Sequence, residues 1–99
     1  MGPRYGPMCG QEMVYITFKG RIVKEDLSIT ISEPTTNWLQ QIEQITLNTS
    51  VIYFPIPTFP YPQLSRANAT ITIFLKQQKF HESNYLYLNV IDRMYFSSN

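Results

Sequence analysis

Few side chains in this sequence could do covalent chemistry. Nucleophilic catalysis needs a nucleophile and a base within hydrogen-bond reach, with a third group to orient the base. The single histidine, His81, lies in the polar stretch "KFHES" and reads as a solvated loop residue. Glu25 and Asp26 are adjacent, so on a strand they point to opposite faces and do not pair as acid and base. Cys9 is the only cysteine. Alone it closes no internal disulfide, and without a His/Cys cluster it builds no zinc site. No Gly-rich phosphate loop is present either. These residues predict neither an enzyme nor a bound metal or cofactor.

What remains is aromatic: seven Tyr and six Phe, many of them in strand-like stretches. Most are expected to fill the core, Phe54 and Trp38 among them. Tyrosine joins apolar area to a polar tip and is enriched at interfaces, which makes Tyr15, Tyr53, Tyr85 and Tyr87 candidates for an exposed sheet face that binds another protein. In "SVIYFP", Val51 and Tyr53 point one way and Ile52 and Phe54 the other. If the second pair is core, the first is free for contact.

The elements that must position these residues fit one domain, since 99 residues with 43% hydrophobic content suffice for a single core. Eight Lys and Arg against seven Asp and Glu leave no overall footprint for nucleic-acid backbone, so any DNA contact must be local. No apolar run approaches the ~20 residues of a membrane span, and no signal-peptide pattern opens the chain. The lone cysteine favours a reducing compartment. Two glycosylation sequons, Asn48-Thr49-Ser50 and Asn68-Ala69-Thr70, matter only on a secretory route.

Residues 1–11, rich in Gly and Pro, read as a linker or N-terminal arm. In "EMVYITFK" the two-residue period puts Val14, Ile16 and Phe18 on one face and Met13, Tyr15 and Thr17 on the other. "LSITISE" alternates as cleanly, with Leu27, Ile29 and Ile31 opposite Ser28, Thr30 and Ser32. "NWLQQIEQITLN" fits either a short helix or a strand, and the β-rich surroundings favour a strand or irregular edge. "VIYF" is followed by Pro55, Pro57, Pro60 and Pro62, which cannot donate to a ladder and stiffen a connection. "ATITIFLK" and "NYLYLNVI", separated by the turn-like "QQKFHES", read as a hairpin. About six short strands with turn signals between them describe an all-β sandwich.

At the level of motifs, "GQEMVYITFKGRIVKEDLSITI" resembles the opening of the immunoglobulin-like dimerisation domain (IPT/TIG) of Rel/NF-κB and NFAT proteins. Trp38 sits where that family has a Trp after its second strand. "VIYFPIPTF" is similar to the family's strand followed by proline and an aromatic, and "NATITIFLKQQKFHESNYLYLNV" to its last hairpin. The chain departs from the pattern at Ile45-Thr46-Leu47, where the family shows Asp-Val-His, and at Lys76-Gln77, where it shows paired arginines. The Arg-rich recognition loop belongs to a separate N-terminal domain of Rel proteins and is absent here.

The resemblance implies an immunoglobulin-like β-sandwich over residues 12–92, preceded by the arm and followed by a tail at 93–99. It implies a dimerisation module of a transcription factor, in nucleus and cytoplasm, that holds paired DNA-binding domains through a sheet face. The partners it implies are a second Rel-like chain, as homodimer or heterodimer, and an ankyrin-repeat inhibitor. Val51 and Tyr53 fall in the implied interface, with Tyr15 and Thr17 beside them, or Ile16 and Phe18 in the alternative register. Arg4, Lys76 and Lys79 are the implied auxiliary contacts to DNA phosphate, and solvated surface charge is the plainer reading of all three. The alternative from another class is an immunoglobulin-like binding module of a secreted or cell-surface protein.

Overall fold

The alternating stretches become strands in the computed structural model, which describes residues 2–48, 50–61 and 64–88. The expected tail at 93–99, and the end of the last strand at Asn89 and Val90, lie outside the described residues. The strands in chain order are β1 (Tyr5–Pro7), β2 (Met13–Thr17), β3 (Leu27–Glu33), β4 (Trp38–Ile42), β5 (Thr46–Asn48), β6 (Val51–Pro55), β7 (Arg66–Leu75) and β8 (Gln78–Leu88). A single 3-10 turn at Lys24–Asp26 precedes β3. Glu25 and Asp26 therefore lie on a turn, not on a strand.

Two sheets form an all-β, immunoglobulin-like sandwich: a five-stranded one in the order β1-β8-β7-β3-β4 and a three-stranded one in the order β2-β6-β5. The inward positions are those the two-residue period marks. Val14, Ile16, Ile29, Ile31, Ile52, Phe54, Ile71 and Ile73 are all buried. The ambiguous segment after Asn37 resolves into β4 and β5, because Ile42 pairs with Ile29 and Leu47 with Ile52, an inward pattern that a helix would break.

Three expectations are corrected. Tyr85 and Tyr87 do not lie on an exposed face; they are 1% and 0% exposed. Their cross-strand partners are Ala69 and Ala67, and small residues opposite leave room for two rings inside the core. Second, "QQKFHES" is not a turn. The chain reverses at Lys76 and Gln77 alone, both at positive φ (53° and 67°), and His81 lies on β8. A Lys-Gln pair gives none of the Asn-Gly or Asp-Gly signal that such a two-residue reversal normally carries.

Third, the chain before residue 12 is docked. Tyr5–Pro7 pairs in parallel with Leu86–Leu88, Gly2 bridges to Tyr15 on the other sheet, and Met8 is buried in the core. The arm thus joins both sheets. At Gly10, which has φ +73°, a Cβ would meet the Ile56 and Pro57 carbonyl oxygens at 2.7 Å. Only glycine lets the arm pass so close to the end of β6.

The proline stretch now has a physical account. Between Pro55 and Pro57, Ile56 supplies both ladder groups: its N–H donates to the Glu12 carbonyl at 2.9 Å and its carbonyl accepts from Gln11 N–H at 2.7 Å. The prolines occupy positions where no donor is needed. Further on, Phe59 N–H donates to the Met8 carbonyl at 2.8 Å, and its ring stacks on Tyr87 at 5.1 Å and meets Trp38 edge-on at 5.3 Å. The connection closes one side of the core with aromatic rings.

Candidate interaction face

The three-stranded sheet has an outer face built from two alternating strands and a short third. Tyr15 is opposite Tyr53, and Tyr53 is opposite Thr46; Thr17 is opposite Val51, and Val51 opposite Asn48. Met13 and Pro55 complete the third rung. Behind this face the same strands bury Val14, Ile16, Ile52 and Phe54. The register of β2 is thereby settled: Tyr15 and Thr17 are outside, Ile16 is buried, and Phe18 is partly buried against the core.

Tyr15, Thr17, Val51 and Tyr53, singled out from the sequence, are thus brought together as one block. Met13 and Tyr15 are 53% and 47% exposed, while Val51 and Tyr53 are half-buried. None of the side chains on these three rungs carries a charge. The outer face of the larger sheet differs, since its β3 and β7 positions are mostly hydroxyl-bearing, with Thr30 opposite Thr72 and Ser32 opposite Thr70. The three rungs on the smaller sheet make an apolar, aromatic, uncharged patch, while Leu39 (69% exposed) and Tyr5 (57%) stand singly on the outer side of the larger sheet. Thr46 and Asn48 join it through pairing with β6, the next strand along the chain, a pairing that the helix-or-strand ambiguity of their segment hid; Met13 was legible from the period of β2.

The basic candidates are not gathered into one patch. Arg4 is exposed, and its carbonyl accepts from Leu86 N–H at 2.9 Å. Lys76, at the hairpin reversal, lines a shallow cleft together with Glu25 and Asp26. Lys79 is paired with Glu82 at 2.9 Å. Arg4 instead lines a separate cleft with His81 and Ser83.

Elsewhere, the groove beside the free edge of β4, about 630 Å³, is lined by Gln11, Gln40, Gln41 and Gln44 with Leu39 and Pro57. Glu43 lines it too and is its one carboxylate among the described residues; the amides hydrogen-bond but supply neither base nor nucleophile. His81 Nε2 lies 2.8 Å from Ser83 Oγ. Among the described residues no carboxylate orients that ring, and no three His, Cys, Asp or Glu side chains cluster as metal ligands. Nor is any helix among them long and apolar enough to cross a membrane. No protein-family model matches the chain, and no curated protein matches it.

Proposed function

We propose that this chain is the dimerisation module of a Rel-like transcription factor and pairs through the outer face of its three-stranded sheet. One observation carries the reading. The four interface positions implied by the family resemblance, Tyr15, Thr17, Val51 and Tyr53, lie on adjacent rungs of one uncharged face, with their strand neighbours buried behind them. Covering Met13 and the two tyrosines removes apolar area from water without stranding a charge. The partner is a second Rel-like chain, DNA-reading domains come from outside this sequence, and an ankyrin-repeat inhibitor would act in the nucleus–cytoplasm cycle of such a factor.

Sedimentation across a concentration series tests it. The wild-type chain, alone or mixed with a Rel-like partner, is expected to form a dimer. Tyr53→Asp is expected to weaken that dimer by roughly 30-fold or more, the size of a central interface residue worth about 2 kcal/mol. A chain that stays monomeric at high concentration and with every such partner, or a Tyr53→Asp variant that dimerises unchanged, overturns the proposal.

A further inference from the structure

On the opposite side of the molecule, β8 outruns its neighbour. It extends from Gln78 to Leu88, but β1 pairs only with Leu86–Leu88, so among the described residues the edge from Gln78 to Asn84 has no strand beside it. Where β1 departs, a cleft of about 340 Å³ opens, lined by Arg4, His81, Glu82, Ser83 and Asn84.

The contents of this cleft are dominated by hydrogen-bond donors. His81 and Ser83 are opposite Ile73 and Ile71, which places them on the inner side of the sheet, at an end the smaller sheet leaves open. Arg4 has the same alternation as Gly6, whose absent Cβ would point inward at the Tyr85 hydroxyl, so Arg4 lies on that side too. Leu86 N–H points across to Arg4, and Asn84 N–H, two residues earlier on the same edge, points into the space β1 has vacated. His81 Nε2 and Ser83 Oγ share a hydrogen bond of 2.8 Å, and either tautomer leaves one donor for a ligand: the serine O–H when Nε2 donates, the ring Nδ1–H when the serine does. The one acid, Glu82, is held by Lys79 at 2.9 Å.

We propose that this cleft binds a phosphate monoester carried on a partner protein's side chain, phosphoserine or phosphothreonine. A guanidinium, a main-chain N–H and the remaining donor of the imidazole–hydroxyl pair, opening on one concavity, match a group with several acceptor oxygens and nearly two negative charges. A duplex backbone is a poorer match, because it needs a row of cations, and here Lys76 sits with Glu25 and Asp26 while Lys79 is engaged. The site is concave and one anion wide.

The test is a titration of the isotope-labelled 99-residue chain with N-acetyl-phosphoserine amide, followed by amide shifts. Saturable shifts are expected at Arg4, His81, Ser83 and Asn84, with none from N-acetyl-serine amide. Arg4→Gln is expected to weaken binding at least tenfold and His81→Gln severalfold, each with an unchanged unfolding midpoint. Both side chains are exposed, so neither change disturbs the core. Three results would each overturn the proposal: no saturable shift, an affinity unaltered in both variants, or a short DNA duplex that shifts these amides where phosphoserine does not.

Discussion

Two neighbouring tyrosines on β8 share the same core and differ in the fate of the hydroxyl. Tyr87 Oη donates to the Pro57 carbonyl at 2.7 Å, whereas Tyr85 Oη is buried without a partner among the described residues. Removing the first leaves a carbonyl unsatisfied; removing the second relieves an unpaired group. Tyr87→Phe is therefore expected to lower stability by about 1–2 kcal/mol and Tyr85→Phe to leave it equal or higher by up to about 1 kcal/mol, read from urea midpoints. Burial, with the charges of Glu12 and Cys9 adding to it, pushes the Tyr85 phenol up to about 12. Its contribution to stability is intact below the ordinary tyrosine value and is lost as pH climbs from there to about 12. At the other end of the scale Glu33, 2% exposed, is pushed up by burial but held lower overall by hydrogen bonds. Its carboxylate accepts from Thr35 N–H at 3.0 Å, Thr36 N–H at 2.8 Å and both threonine hydroxyls. Because the folded pKa is depressed, this stabilisation is present above the usual glutamate range and fades as pH falls through the folded value. Glu33→Gln should cost about 1–2 kcal/mol at neutral pH, and the gap from wild type should narrow in acid denaturation series.

The strands were legible wherever one face is core and the other is not. β2, β3 and β6 obey a two-residue rhythm that survives into the burial pattern, and with it came the placement of Tyr15, Thr17, Val51 and Tyr53. Elements held by distant partners were not legible. β1 is Tyr-Gly-Pro, a sequence that looks like linker, and its strand character comes wholly from β8. Tyr85 and Tyr87 turn inward because of the alanines opposite them, which no window along β8 contains. The arm also depends on Gly6, where a Cβ would land on the Tyr85 hydroxyl inside the core. Gly6→Ala is expected to detach β1, seen as loss of exchange protection at Leu86 N–H, and the double variant with Tyr85→Phe should recover part of it. The reversal at Lys76 and Gln77 places two ordinary side chains at positive φ, each held in a left-handed conformation. Replacing them with Asn and Gly should raise stability by about 1 kcal/mol in thermal unfolding, since those residues enter that conformation at little cost.

As a whole the molecule measures 47 × 26 × 18 Å, with a radius of gyration of 14.4 Å against about 13 Å for a compact domain of this size. The excess length matches the ten- and eleven-residue strands of the final hairpin, which outrun the small sheet. Exposed apolar side chains stand on both outer faces: Leu39 and Tyr5 among the hydroxyls of the large sheet, and Met13 and Tyr15 on the small one. At this scale the contrast between adjacent residues of β6 is diagnostic. Ile52→Asp puts a charge into the core and should unfold the chain, while Tyr53→Asp should leave a cooperatively folded monomer, a distinction that circular dichroism and sedimentation read together. The path of residues 2–7 has a mechanical corollary. Any pull applied at Gly2 reaches β2 through one antiparallel bridge and β8 through a parallel ladder loaded along its length, so tension is shared between both layers before either is peeled open.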